Sequence, residues 1–324
     1  MGWKLWLGIA VSLALLWFAF HGVDLGEVAR TFVAVRPGWV VLVLLSLPAR
    51  FWLTAVRWKV LLGPAKPIGT HRLFGITLIG FMANNLLPAR IGEFVRAYAL
   101  GRSESIPAPL AFATIVIERV FDGFTLLLFL VGGLFFLSLP GWLLWLSAAS
   151  FCLYLAVLGG LLSLRWSRSR QVITGLLVWL PGRLRSPAGH VLDSFCLGLD
   201  TLGDGRSLLA TTGLSLAIWA VNALGLQATF VAFSLHLPLH AGFFVLAILA
   251  GVLVLPSAPG YVGTFQFATK VALGLFAVPE ATALSLSILY HAVNYIPITL
   301  AGFAYLWVSN LTLDELRAAG EKAS

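Results

Sequence analysis

Apolar segments of about 20 residues or more recur along this chain, and they constrain its fold more than any motif does. Hydrophobic residues make up 60% of the 324 residues, and charged residues only 10%. A soluble domain of this composition would expose a very large apolar surface, whereas a helix of that length matches the hydrocarbon core of a bilayer. The sequence therefore predicts an all-α polytopic integral membrane protein.

Six apolar runs are long enough to be full transmembrane helices. They are Trp3–Phe20, Trp39–Trp58, Ala108–Leu139, Trp142–Leu164, Leu208–Leu235 and Thr282–Val308. The first run has no convincing signal-peptide cleavage site, so we predict that it is retained as the first span.

Two further apolar regions, 73–100 and 241–277, are each interrupted near the centre by proline and glycine. The interruptions are Pro88 and Gly92 in the first region, and Pro256, Pro259, Gly260 and Gly263 in the second. A broken helix exposes backbone groups that lipid cannot satisfy, so such a segment must lie against protein or line a cavity. We predict two re-entrant helical hairpins; a pair of ordinary kinked spans is the alternative.

An internal repeat relates the two regions. The segment from Ile106 to Phe129 aligns without a gap with the segment from Val278 to Ala301, a shift of 172 positions. Under this alignment Glu118, Arg119 and Asp122 correspond to Tyr290, His291 and Asn294. Each half then contains a span, a re-entrant hairpin and a second span.

Basic residues fix the orientation by the positive-inside rule. Two connections carry most of them: Lys59, Lys66 and Arg72 in one, and Arg165, Arg168, Arg170, Arg183, Arg185 and Arg206 in the other. With both connections in the cytoplasm, the N- and C-termini are cytoplasmic, the protein lies in the plasma membrane, and the two repeats are inverted.

We divide the single transmembrane domain, 1–324, into five parts. They are a first span and external loop (1–38), repeat one (39–139), a linking span with a basic segment (140–206), repeat two (207–308) and a cytoplasmic tail (309–324). Apolar residues recur at helical spacing from His190 to Leu202, which predicts an amphipathic helix at the membrane interface.

The net charge of +8 does not indicate nucleic-acid binding, because most basic residues flank apolar spans, where orientation and anionic lipid explain them. The chain has no metal-ligand spacing, no phosphate loop with its lysine and no serine beside an evident base. We therefore expect no cofactor, no metal and no enzyme activity. Cys152 and Cys196 are interpreted as structural.

Polar residues around the break of the first hairpin form the main candidate site. They are Asn84, Asn85, Arg90, Glu93 and Arg96. Helix N-termini and arginine forks both favour a phosphate or carboxylate, so we expect an anionic headgroup to bind here. The alternative is that Glu93 pairs with Arg90 or Arg96 and only locks the hairpin.

Charged residues also occur within two predicted spans. Arg50 lies deep in the second span, where a ligand-binding role and a structural salt bridge are equally consistent with the sequence. Glu118 and Asp122 share one helix face and are interpreted as counter-charges for the arginines, with proton coupling as the alternative. Arg119 should point about 100° away from that face.

The second hairpin and the helix after it provide mainly neutral candidates. These are Ser257, Tyr261, Thr264, Gln266, Lys270, His291 and Asn294. Lys270 could equally reach the membrane surface, and His291 fits a hydrogen-bonded core histidine better than a proton relay. The two halves are therefore expected to differ chemically.

Four segments resemble the lysylphosphatidylglycerol synthase transmembrane-region family. They are Arg57–Leu62, Asn84–Glu93, Glu118–Asp122 and Pro256–Thr264. The resemblance covers nearly the whole chain and implies a membrane protein that translocates or presents lipids, with hairpin residues near the headgroup. The chain ends at Ser324 without the soluble aminoacyl-transfer domain of fused relatives, so we do not expect it to synthesise aminoacylated lipid by itself.

The sequence therefore predicts a flippase-like transporter of lipids with an anionic or phosphate-bearing headgroup. Arg50, Arg90 and Arg96 are expected to receive the headgroup, with Arg119 and Lys270 as additional cations. Two alternatives stay open: an intramembrane lipid or glycolipid transferase, and a non-transporting lipid-binding partner of a separate lipid-modifying enzyme. The sequence does not decide the lipid, the driving force or whether the protein is a homodimer.

Overall fold

A computed structural model gives the arrangement of the predicted helices. It describes residues 3–87, 91–134, 141–163, 171–172, 174–175, 177, 179, 181–199, 203–253, 257–309, 312 and 315. Within these residues the protein is all-helical. The helices are α1 (Trp3–Phe20), α2 (Leu25–Val33), α3 (Pro37–Leu62), α4 (Thr70–Leu86), α5 (Gly92–Glu104), α6 (Ala108–Leu134), α7 (Gly141–Ser163), α8 (Gly182–Leu199), α9 (Gly205–Ala232), α10 (Leu239–Val252), α11 (Thr264–Gly274) and α12 (Glu280–Val308), with a 3₁₀ turn at Pro259–Tyr261.

Three of these helices, α3, α9 and α12, are each long and apolar enough to cross a bilayer. All three present large apolar side chains outward, for example Leu45, Leu209 and Leu300, which are 63%, 75% and 62% exposed. Such exposure would be costly in water but is expected where the neighbour is hydrocarbon. The fold is that of an integral membrane protein.

The N-terminal region differs from the prediction of a span followed by an external loop. The chain turns at Gly22, which has φ +77°, and continues as helix α2, bent by 80° from α1. Asp24 caps α2 by accepting a hydrogen bond from the backbone N–H of Gly26 at 2.7 Å. Helix α2 packs on α12, where Ser285 Oγ donates to the carbonyl of Val28 at 3.2 Å. The predicted loop is therefore partly a packed helix, because a capping aspartate starts it.

Helices α4 and α5 form the first predicted hairpin and pack against each other. A methyl group at Gly92 would overlap the carbonyl oxygen of Gly80 and the side chain of Asn84, so glycine permits this close approach. Helices α10 and α11, with the 3₁₀ turn between them, lie in the region predicted as the second hairpin and also pack against each other, and we keep the word hairpin for each of these two helix pairs. Pro88 and Pro256, which were predicted to break the two hairpins, lie outside the described residues.

The internal repeat extends over four helices in each half. Helices α5 and α6 begin at Gly92 and Ala108, and α11 and α12 begin 172 positions later, at Thr264 and Glu280. The same shift carries α3 onto α9 and α4 onto α10, to within four residues at their starts. Each half thus has the order long helix, hairpin, long helix.

The two halves interlock rather than forming separate bundles. The first arm of each hairpin packs on the last helix of the opposite half: α4 on α12, and α10 on α6. Gly302 of α12 lies directly against Met82 of α4, and the rings of Phe129 (α6) and Phe243 (α10) lie 4.6 Å apart. The core is therefore shared between the repeats.

The linking segment also contains a longer helix than predicted. Helix α8 begins at Gly182, eight residues before the predicted amphipathic helix, and ends at Leu199. Its apolar face is partly covered by protein, because Cys196 and Leu199 are buried and Gly198 fits closely against Leu110 of α6. This helix is anchored on α6 by packing, in addition to any contact with lipid.

Candidate functional site

Five charged side chains from three helices meet in a buried group that we call the ionic cluster. Its members are Arg57 from α3, Arg96 from α5, and Glu118, Arg119 and Asp122 from α6. Arg57 Nη1 donates to Asp122 Oδ1 at 2.6 Å, and Arg96 Nη1 donates to Glu118 Oε2 at 2.8 Å. The cluster therefore joins the second arm of the first hairpin to two long helices.

Arg57 is the most enclosed arginine of the ionic cluster. Its side chain is 1% exposed, and both terminal nitrogens face Asp122, at 2.6 and 3.3 Å. Nη1 also donates to Ser215 Oγ of α9 at 2.7 Å, while Nε lies 3.6 Å from Glu118. A bidentate geometry of this kind suits arginine and cannot be reproduced by lysine.

Arg119 does not point away from the acidic face as its helical position predicted. Its Nη2 reaches back to Asp122 at 3.2 Å and to Glu118 at 4.0 Å, because a long side chain can span one helical turn. The side chain is nevertheless 41% exposed. The three arginines form ion pairs with two carboxylates, and a third carboxylate, Glu93, is close enough to act electrostatically on Arg96 and Arg119. Arg119 is the arginine of the cluster that is exposed.

Two tryptophans complete the surroundings of the ionic cluster. The Arg96 guanidinium lies over the ring of Trp58, 4.2 Å from its centroid, and Trp58 Nε1 donates to Thr114 Oγ1 at 2.9 Å. Trp219 of α9 donates to Asp122 Oδ1 at 2.9 Å. The cation–π contact and these hydrogen bonds reduce the cost of burying so many charges.

Asn84 stabilises the turn of the first hairpin. Its amide oxygen accepts the N–H of Gly92 at 2.7 Å, and its nitrogen donates to the Glu93 carboxylate at 3.3 and 3.4 Å. Arg96 forms its ion pair with Glu118. The alternative pairing of Glu93 with Arg96, which would only lock the hairpin, is therefore not observed. Arg90 lies outside the described residues.

Asn85 at the end of α4 and Gly260 in the 3₁₀ turn both contact Tyr295 of α12, in an arrangement that we call the tip junction. The Tyr295 hydroxyl donates to the carbonyl of Asn85 at 3.1 Å, and the Asn85 nitrogen donates to Thr299 Oγ1 at 2.8 Å. On the other side, the Tyr295 ring packs against Gly260, where φ is +73° and a side chain would collide with the ring. One tyrosine thus contacts a hairpin of each half.

The second hairpin is held by neutral contacts. Gln266 Oε1 accepts the N–H of Gly263 at 2.8 Å, and Gln266 Nε2 lies 3.0 Å from His291 Nδ1. The His291 ring stacks on Phe265 at 4.6 Å. His291 therefore has one hydrogen-bonding partner and one stacking partner, and its role stays a prediction.

Other candidates of the second half lie apart from these groups. Lys270 Nζ forms an ion pair with Glu280 at 2.6 Å, and the amide of Asn294 donates within its own helix, to the Tyr290 carbonyl at 2.9 Å. Thr264 is fully buried, and Tyr261 adopts a positive φ of 59° in the turn. Ser257 lies beside α1, where the next residue, Ala258, donates its N–H to Ser12 Oγ at 2.7 Å.

A third polar group surrounds Arg50, and we call it the axial site. Arg50 Nη1 donates to Asn222 Oδ1 of α9 at 2.8 Å, and the Tyr290 hydroxyl of α12 donates to the same oxygen at 3.0 Å. Among the described residues no carboxylate forms an ion pair with Arg50. The salt-bridge interpretation of Arg50 therefore finds no partner in the part of the chain that the structure describes.

Several residues of these groups were missed as candidates from the sequence. Arg57 is not among the sequence candidates, because a cation two residues before Lys59 can reach the membrane surface, although it shares a helix face with Arg50. Asn222, Trp219 and Tyr295 carry no local signal, since isolated polar or aromatic residues are common in long helices. Only the tertiary contacts of these residues reveal them.

The fold and the sites define a polytopic membrane protein built from two interlocked repeats with polar groups inside. Its residues 5–302 match the family described as the lysylphosphatidylglycerol synthase TM region, and the chain belongs to that family. The recognition of this family from four sequence segments is thereby confirmed.

The relatives include proteins of different descriptions. The chain is 28% identical over 279 residues to the glycosyltransferase AglD of Haloferax volcanii, a match that covers 74% of this chain but 44% of that protein. The chain thus spans less than half the length of that relative. It is 23% identical to a UPF0104 membrane protein of Methanocaldococcus jannaschii, with 92% of both chains covered, and 25% identical to one of Methanothermobacter thermautotrophicus, with 84% and 86% covered.

Proposed function

We propose that this protein is a flippase-like lipid transporter that binds an anionic or phosphate-bearing headgroup between its two hairpins. The observation that carries the proposal is the tip junction, where Tyr295 contacts Asn85 of one hairpin and Gly260 of the other. Broken helices from two repeats that meet inside a membrane protein are the recurring plan of secondary transporters. Relative movement of the hairpins at such a junction would open the site to one leaflet at a time.

An inverted arrangement of the repeats is supported by the packing of α3 on α9. The contact of Arg50 with Asn222 is followed, seven residues further along α3, by the contact of Arg57 with Ser215, seven residues back along α9. The two equivalent helices therefore run antiparallel. We propose six full spans and two re-entrant hairpins, the first entering from the cytoplasmic side of the plasma membrane and the second from outside, with both termini in the cytoplasm.

Charge favours an anionic headgroup as the ligand. Arg119 exposes 41% of its side chain, so its charge is the one in the cluster that a ligand can reach. In hydrocarbon an exposed cation is costly unless an anion or water compensates it. The headgroup would be attracted to Arg119 and the first hairpin, while the acyl or isoprenoid tails stay in the bilayer.

A transferase is the second candidate, because one relative is named a glycosyltransferase. General-base chemistry would need a carboxylate with a free lone pair. Both oxygens of Asp122 accept hydrogen bonds, from Arg57 and Trp219. Glu118 Oε1 has no hydrogen-bond partner among the described residues, but the Glu118 carboxylate is held in ion pairs with arginines. Glu93 accepts hydrogen bonds from the neutral Asn84 and forms no ion pair within the described residues, so we take it as the candidate base for this alternative.

Reconstitution distinguishes the two candidates. The purified protein in liposomes should expose inner-leaflet fluorescent phosphatidylglycerol to a membrane-impermeant quencher without changing the mass of the lipid. Arg119→Gln should lower the rate for phosphatidylglycerol more than the rate for phosphatidylcholine, whereas Arg102→Gln, at the exposed end of α5, should leave both unchanged.

Two results would count against transport. Lipid exchange no faster than in protein-free liposomes would refute it. A new lipid product formed from a supplied sugar donor, and lost in Glu93→Gln, would establish the transferase instead.

A further inference from the structure

The axial site lies at the middle of a membrane-spanning helix. At about 1.5 Å per residue, Arg50 is roughly 20 Å from the first residue of α3, Pro37, and roughly 18 Å from the last, Leu62. The hydrocarbon core of a bilayer is about 30 Å thick, so the guanidinium lies near its centre. A cation at this depth is unfavourable unless it faces a partner or a polar cavity.

The partners of Arg50 are neutral, which separates it from the other intramembrane arginines. Arg57, Arg96 and Arg119 each have a carboxylate oxygen within 3.2 Å. Arg50 instead donates to the amide oxygen of Asn222, which also accepts the hydroxyl proton of Tyr290. Among the described residues, one of the five N–H donors of this guanidinium is used and its charge has no counter-ion.

The position of the axial site in the repeat is also distinctive. The starts of α3 and α9 are 168 positions apart, which places the repeat equivalent of Arg50 one helical turn before Asn222 on α9. Because α3 and α9 run antiparallel, positions this close to equivalent can meet only near the pseudo-two-fold axis between the halves. The nearby pair of Ser46 and Gly225, in which a methyl on the glycine would be 3.0 Å from Ser46 Oγ, lets the two helices approach closely there.

We propose that Arg50, Asn222 and Tyr290 form an anion-binding site on this axis, which takes the phosphodiester group of a lipid headgroup as it passes between the leaflets. A point on the axis is equidistant from both halves, so either hairpin can deliver a headgroup to it. The guanidinium fork and the Asn222 amide protons donate to the phosphate oxygens. The inference rests on the proposed function and adds to it a second position on the path of the headgroup, beyond Arg119, and a narrower ligand class, the phosphodiesters.

Charge selects a phosphodiester rather than a phosphomonoester. A phosphodiester carries one negative charge, which the single charge of Arg50 neutralises. A phosphomonoester carries about −1.5 to −2 at neutral pH and would leave an uncompensated anion near the centre of the membrane. We therefore expect phosphatidylglycerol to bind more tightly than phosphatidic acid of the same chain length.

Binding to the purified protein in detergent, followed by native mass spectrometry, tests the site without requiring transport. Arg50→Gln should weaken binding of phosphatidylglycerol by at least tenfold. Asn222→Asp should weaken binding of phosphatidylglycerol as much. The amide oxygen of Asn222 lies 2.8 Å from Arg50 Nη1, so a carboxylate at this position would form an ion pair with Arg50 and compete with the lipid phosphate. The melting temperature of the Asn222→Asp protein should equal or exceed that of the unmodified protein, so the loss cannot be assigned to misfolding.

Lys59→Gln is the matched control, because Lys59 is an exposed cation on the same helix. It should bind phosphatidylglycerol within twofold of the unmodified protein. Folded Asn222→Asp protein that binds the lipid at unchanged affinity would overturn the axial site, as would a preference for phosphatidic acid.

The transport assay separates this inference from the proposed function. If the unmodified protein moves no lipid but its binding depends on Arg50 and Asn222, the axial site stands and the transporter proposal fails. If the unmodified protein moves lipid and Arg50→Gln binds and transports normally, the axial site alone is wrong.

Discussion

Replacing Arg57 with glutamine should destabilise the protein strongly through the ionic cluster. The side chain is 1% exposed and connects three helices: it bonds Asp122 of α6 at 2.6 and 3.3 Å and Ser215 of α9 at 2.7 Å. Glutamine is shorter and neutral, so these contacts are lost and a buried carboxylate loses its main partner. Removing one member of a buried ion pair typically costs about 3 to 5 kcal/mol.

The remaining contacts place the expected loss at the lower end of that range. Asp122 keeps Arg119 at 3.2 Å and Trp219 at 2.9 Å, and Glu118 keeps Arg96 at 2.8 Å. The free energy of unfolding should therefore fall by about 3 kcal/mol, which lowers the ratio of folded to unfolded protein roughly a hundredfold. The stability of Arg57→Lys should lie between that of the unmodified protein and that of Arg57→Gln, because an ammonium group keeps the positive charge but cannot form the two parallel hydrogen bonds of a guanidinium.

The measurement is reversible unfolding in mixed micelles, in which the fraction of denaturing detergent is raised and tryptophan fluorescence is followed. Lys59→Gln, two residues away on the exposed side of α3, is the control and should shift the midpoint little. If Arg57→Gln and Lys59→Gln unfold at the same detergent fraction, the ionic cluster does not stabilise the fold and the reasoning is refuted.

Three further predictions concern local packing, a single hydrogen bond and a helix cap. Gly92→Ala should lower the melting temperature, because its methyl group would overlap the facing helix α4, whereas Gly213→Ala, with open space around it on α9, should be neutral or stabilising. Trp58→Phe should cost more than about 1 kcal/mol in the same micelle titration, because the hydrogen bond to Thr114 Oγ1 at 2.9 Å is lost and the smaller ring leaves a cavity at a fully buried position. Asp204 caps α9, and hydrogen bonds from Ser207 Oγ and two backbone N–H groups lower the pKa of its carboxyl group. The cap should therefore stabilise α9 fully at pH values above the ordinary pKa of aspartate, and this stabilisation should be lost as the pH falls through the lowered pKa. Hydrogen exchange at the first turn of α9, corrected for intrinsic rates, measures this loss.

Each of these has a result that would contradict it. A Gly92→Ala protein as stable as the Gly213→Ala protein would show that the two arms of the hairpin are not in close contact. An unchanged unfolding midpoint in Trp58→Phe would show that the hydrogen bond between Trp58 and Thr114 does not stabilise the protein. Exchange at the start of α9 that depends on pH equally in Asp204→Ala would mean that another group titrates.

The helices and the repeat could be predicted because they depend on local sequence. Runs of apolar residues give α3, α9 and α12 nearly as expected, and the repeat shift of 172 positions holds for the starts of α5 and α6. The failures are also local in origin. Helix α2 was missed because its capping aspartate lies in a short polar stretch that was interpreted as a loop.

The candidate site was predicted in part. The sequence indicated Arg96, Glu118 and Asp122 as members of one charged group, because four-residue spacing places two acids on one helix face. It did not indicate Arg57 as their partner, since a cation near a helix end has a simple alternative at the membrane surface. It grouped Lys270 with the site, although that side chain pairs with Glu280.

The sequence by itself determined the membrane class, the order of elements in each half and the residue types available for binding. These follow from composition, apolar run length and an internal alignment, all of which are properties of the chain read in order. The tertiary structure alone decided which groups meet, namely that each hairpin packs on the opposite half and that Arg50 of α3 meets Asn222 of α9. Contacts between distant residues depend on how helices cross in space, and a crossing of two helices leaves no periodic trace in either sequence.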